Sequence, residues 1–81
     1  MFMGEEMQTY NVFYTDKPLP AGTQPDFALM LPLKFASEEE ALIKSFKLIF
    51  SGAIVWKIEG SEGFHLDRAE IEKRYWKFKT T

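Results

Sequence analysis

Between Ser37 and Gly52 apolar side chains recur every three or four positions. At about 100° per residue, Leu42, Ile43, Phe46, Ile49 and Phe50 fall in one stripe, with Glu40, Lys44, Lys47 and Ser51 opposite. The spacing predicts an amphipathic helix with one covered face and one in water. Ser37 and Glu40 stand three apart, the spacing of a capping box that satisfies the orphan backbone donors of a first turn. Glu40 and Lys44 follow in the favourable i, i+4 order. Gly52 suits the left-handed residue after the last turn, and Ala53 is placed to touch Leu48, which lies off the stripe. A second helix is predicted to open at Asp67, with Glu70 as the partner of the cap and Leu66 and Ile71 at the positions of a hydrophobic staple. Its apolar stripe is Ile71, Tyr75 and Phe78.

Elsewhere the periodicity changes to two. Residues 7–15 are aromatic and β-branched, with Tyr10, Val12 and Tyr14 on one side, and read as a strand. From Asp16 to Asp26 the chain holds Pro18, Pro20, Gly22 and Pro25, which predicts a loop. Phe27, Leu29, Leu31, Leu33 and Phe35 alternate with smaller or polar neighbours and predict a second strand. Pro32 lacks a ladder donor, which puts that strand at a sheet edge or ends its pairing near residue 31. Over residues 53–59, Ile54, Trp56 and Ile58 alternate with Val55, Lys57 and Glu59, the pattern of a half-buried strand. Gly60 to Gly63 reads as a turn and Phe64 to Leu66 as the returning strand of a hairpin.

The predicted order is β-β-α-β-β-α. Helices with one apolar stripe and sheets with one apolar face are satisfied together in an α+β two-layer sandwich: an antiparallel sheet of three or four strands with both helices on one side. That order also fits a circularly permuted ferredoxin-like arrangement. Residues 1–81 have room for one core, so a single small domain is expected, with residues 1–6 as a flexible N-terminus and 16–26 as a Pro/Gly loop.

Composition narrows the functional classes. The apolar share of 46% and aromatic share of 16% are those of a folding chain rather than a disordered one. There is no Cys, hence no disulfide framework, zinc-finger spacing or thiol nucleophile. The longest near-continuous apolar run, residues 27–33, is far short of the roughly 20 residues that span a bilayer, and no membrane partner is expected. Met1 to Met7 carries acids where a secretory signal needs a basic flank, so a cytoplasmic address is expected. The net charge of −2 is unevenly placed: residues 1–66 hold five basic and nine acidic side chains, residues 67–81 five and three. An overall acidic body argues against a domain-wide field for nucleic acid.

Candidate chemistry is sparse. Lys73, Arg74, Tyr75, Trp76, Lys77, Phe78 and Lys79 interleave bases with aromatics, the ingredients of phosphate contact and base stacking on single-stranded nucleic acid. The plainer account makes Tyr75 and Phe78 core residues and the bases a solvated helix end, where cations suit the dipole. Trp76 lies about 140° around the helix from Ile71, off the core stripe, and with Trp56 is a candidate partner anchor. His65, the only His, has Glu59, Glu62 and Asp67 near it in sequence. A His and a carboxylate can do acid-base chemistry, but a surface His beside acids is the commoner circumstance. Glu38, Glu39 and Glu40 suit the positive end of a helix better than a cation site. One His without Cys makes a poor zinc site, and no phosphate-binding glycine loop is present, so no cofactor is expected. The sequence favours a non-catalytic interaction domain, whose partner is another protein or a second copy of itself. A partner surface is expected at Trp56, Lys73, Arg74, Tyr75, Trp76 and Lys77. A nucleic-acid module built on the last helix ranks second, and a ligand sensor or enzyme near His65 third.

Overall fold

A computed structural model of the chain describes residues 9–17, 19–23 and 25–80. Strand β1 (Tyr10–Thr15) leads through an irregular loop and a short 3-10 turn (Phe27–Leu29) into β2 (Leu33–Phe35) and helix α1 (Glu38–Phe50). Strand β3 (Ile54–Gly60), a tight turn over Ser61–Gly63 and β4 (His65–Asp67) form a hairpin that runs directly into helix α2 (Arg68–Lys79). All pairings are antiparallel and the sheet order is β2-β1-β3-β4. Both helices pack on one face, giving the α+β two-layer sandwich that the periodicities predict. In a permuted ferredoxin-like sheet the strands leading into the helices would be the central pair. Here those strands, β2 and β4, are the edges, and β1 and β3 lie between them. The position of Pro32 fits this order, since a strand beginning just beyond a residue with no N–H is suited to an edge. The N-terminal segment 1–6 lies outside the described residues.

The core starts as a row of side chains across all four strands. Val12 stands opposite Leu33 on one side and Ile58 on the other, and Ile58 stands opposite Leu66. Ala41 of α1 and Ile71 of α2 close over this row, and both are fully buried. The helix ends follow the sequence signals. Ser37 Oγ accepts from Glu40 N at 3.2 Å, and Asp67 Oδ1 accepts from Glu70 N at 2.9 Å. At the end of α1, Gly52 takes φ +102°, and Gly52 N and Ala53 N donate to the carbonyls of Ile49 and Leu48. That pair of bonds is the Schellman closure, which a residue with a Cβ adopts only with strain.

Three readings of the pattern are corrected. The strand predicted over 27–35 is confined to residues 33–35, and Leu29 and Leu31 are 81% and 92% exposed. Asp26 diverts the chain: its carboxylate accepts from Ala28 N at 3.1 Å and starts the 3-10 turn, while Pro32 cannot donate to a ladder. In β3, Val55 rather than Trp56 is buried with Ile58. The register passes from Phe13 opposite Lys57 to Tyr14 opposite Val55, so Trp56 is the extra residue of a β-bulge and the inward phase shifts by one. On the helices, Ile43, Phe50 and Phe78 are exposed, whereas Ala41 and Ser45 are the residues of α1 that are buried.

The sheet face away from the helices is partly covered too. The Phe27 ring meets Phe13 edge-on at 5.6 Å, and Lys57 Nζ lies 4.1 Å from the Phe27 centroid and 5.0 Å from that of Phe13. Phe13 is buried as a result.

Gly60 is fixed by a close approach. It pairs with Tyr10, and a Cβ there would lie 2.5 Å from Tyr10 Cδ2, while the Tyr10 ring itself sits edge-on to Phe64 at 5.2 Å. Gly60→Ala is expected to lower stability by about 1–3 kcal/mol, the range for overpacking a filled site, as read from urea unfolding midpoints at unchanged m-value.

Candidate protein-docking groove

Where a helix meets a sheet, the smallest residues at the contact set the distance. On α1 those are Ala41 and Ser45, one turn apart and fully buried, with Ser45 Oγ donating to Ala41 O at 2.8 Å. Leu42, Leu48 and Ile49 pack around them against the core. With Ala41 and Ser45 turned to the sheet, Ile43, Phe46 and Phe50 are carried around the helix to its flank. They form a ridge at i, i+3 and i+7.

Helix α2 supplies the other wall. Tyr75 is buried beside Ile71, while Phe78, one turn beyond Tyr75's neighbour Arg74, is 57% exposed. The Phe46 ring lies 5.0 Å from that of Phe78 and 5.9 Å from that of Tyr75, and so forms the floor. Ile43 and Phe50, the latter 76% exposed, form the rim on α1. The resulting groove has a volume of about 440 Å³, within the range of ligand-sized pockets, and its surface is almost wholly apolar.

Two lysines complete the lining, Lys47 and Lys79. The Lys79 ammonium lies 5.7 Å from the ring centroids of Phe50, Tyr75 and Trp76 alike, so cation-π attraction holds its charge at the mouth of the groove. Among the described residues neither lysine has a carboxylate partner. Arg74 differs: its Nε meets Glu70 at 2.9 Å and its Nη1 meets Glu38 at 3.6 Å, tying the two helices together away from the groove.

The residues singled out from sequence are dispersed. Trp76 is 61% exposed beside the groove, and Lys73 and Lys77 are exposed on the same helix. Tyr75 contributes a wall, not a free ring. Trp56 sits elsewhere, half-buried at the bulge, with its indole N–H donating to Thr15 Oγ1 at 3.1 Å and the Arg68 guanidinium 5.1 Å from its ring. His65 lies at the far edge of the sheet, where its Nδ1 is 3.8 Å from Glu59 Oε2, and that oxygen is also 2.8 Å from Lys57 Nζ. No cleft gathers around His65 among the described pockets, and no group of three metal-ligating side chains occurs among the described residues. Glu38 pairs with Arg74, and Glu40 takes part in the helix cap through its backbone N–H. Asn11 Oδ1 is buried in β1 without a hydrogen-bond partner among the described residues, at a cost of order 1–3 kcal/mol.

Ile43, Phe46, Phe50 and Phe78 form the groove, yet the sequence pattern assigns them to the core. One signal distinguishes them. From Leu48 round to Ile43 the apolar arc of α1 spans about 220°, roughly twice what a single covered face needs. A helix apolar over so wide an arc has a second surface to satisfy.

Comparison with known protein families, characterised proteins and solved structures finds no match, so the functional reading rests on the chemistry of this groove. None of the described helices is long and apolar enough to cross a membrane.

The division between structural and exposed rings is measurable. Phe50→Ser is expected to change unfolding free energy by no more than about 0.5 kcal/mol, because its ring already faces water. Tyr75→Ala is expected to lose about 3 kcal/mol or more. Thermal and urea unfolding of the two variants side by side check the contrast.

Proposed function

We propose that this domain is a non-catalytic protein-interaction module that captures an apolar segment of a partner between α1 and α2. The observation that carries the reading is the groove itself: exposed Phe50, Phe78 and Ile43 converge on one concave surface, not scattered singly. Aromatic side chains of this kind, with Trp76 at the border, are the residue types that dominate binding energy at interfaces. The basic end of α2 gives less support to a nucleic-acid module, since Arg74 is neutralised by Glu70 and Glu38 and the Tyr75 ring is not free to stack.

The test compares three immobilised proteins in native extract: wild type, the double variant Phe50→Glu with Phe78→Ser, and His65→Ala, which alters the far edge of the sheet. The expected result is a protein retained by wild type and His65→Ala but lost from the groove variant. Identical retention by all three proteins would remove the groove from the function.

A further inference from the structure

We propose that the occupant of the groove is an amphipathic helix of a partner protein, bearing carboxylates beside its apolar ridge. The inference rests on the docking function proposed above and names the chemistry of what docks.

Charge carries the argument. The charged residues lining the groove are Lys47 and Lys79, whose alkyl chains join its apolar surface, and Lys44 stands beside Lys47 in the adjoining hollow. Glu40 borders that hollow as well, which leaves a cationic excess along the α1 side. The chain is acidic overall, yet four of its carboxylates are engaged elsewhere: Glu38 and Glu70 with Arg74, Glu72 with Arg68, and Glu59 with Lys57. Among the described residues Lys44, Lys47 and Lys79 make no salt bridge. Lys79 is also held in place by three rings, so less side-chain freedom is lost when an anion meets it. An apolar floor between unpaired cations is complementary to an apolar ridge between carboxylates.

Shape selects a helix. A groove between two helices receives the ridge of a third, read through anchors at i, i+3 or i+4 and i+7. A second copy of this chain is disfavoured by symmetry: a two-fold interface lays the same patch on itself, so Lys47 and Lys79 of both copies would face one another across an apolar contact. A lipid surface suits the lysines but is flat, and would leave the concave Phe46 floor unfilled.

The probes are two labelled helical peptides of about 15 residues with leucines at i, i+3 or i+4 and i+7, flanked in one by glutamates and in the other by lysines. Fluorescence anisotropy is expected to show the acidic peptide binding at least about tenfold more tightly, with affinity falling as salt rises. Amide shift changes should be confined to α1 and the last turns of α2. Lys47→Glu with Lys79→Glu should invert the preference, and Lys47→Gln with Lys79→Gln, milder in its effect on folding, should abolish it. Equal affinity for both peptides, or no binding of either, overturns the inference. If the groove variant still loses its native partner in that case, the docking function stands and only the acidic chemistry fails. Should Phe50→Glu affect neither capture nor peptide binding, both fail. Sedimentation as a dimer that Phe50→Glu dissociates would assign the groove to a second copy, and binding to anionic vesicles but to neither peptide would assign it to lipid. Either result overturns the proposal.

Discussion

The close approach of α1 to the sheet, set by Ala41 and Ser45, governs the rest of the structure. Both side chains are small enough to be buried completely, and Ser45 keeps its hydroxyl satisfied within its own helix. A larger residue at either position would lift the helix from the row formed by Leu33, Val12, Ile58 and Leu66. Because the small side of the helix takes the sheet, the aromatic side is left facing along the surface toward α2. The groove is therefore a consequence of how the core is packed, and its floor residue Phe46 joins the two by resting on the buried Tyr75 ring.

That sharing explains what could and could not be read from the chain. The helix ends at Ser37, Gly52 and Asp67 were legible because caps are local: a side chain and a backbone donor three residues away suffice. The class of fold was legible because periodicities of two and of about 3.6 are distinct. Strand phase in β3 was not, since one extra residue at Trp56 exchanges the faces, and the bulge depends on the partner strand rather than on β3 itself. Nor could an alternation over 27–35 reveal that Asp26 would bend the chain before it reached the sheet. On the helices, hydrophobicity marked Ile43, Phe50 and Phe78 as residues needing cover without saying whether this chain supplies it. The width of the apolar arc on α1 was the one quantitative sign.

Electrostatics separates the two sides of the helical layer. Arg68 and Arg74 each reach a glutamate one turn away, and Arg74 also reaches across to Glu38. Exposed pairs of this kind contribute at most about 1 kcal/mol each, so their larger effect is to occupy the acids. Among the described residues Lys79 is left with aromatic rings in place of a counter-ion, an arrangement in which apolar contact and charge are offered by the same surface.

The two edges of the sheet have a consequence for solubility. Strands β2 and β4 are three residues each, and each passes almost at once into a helix. A neighbouring chain seeking to extend the sheet finds only a short ladder on either side before the backbone turns away, too little to template fibril growth. The molecule can thus display sticky aromatic groups in public without also offering the hydrogen-bonding rail along which aggregates elongate.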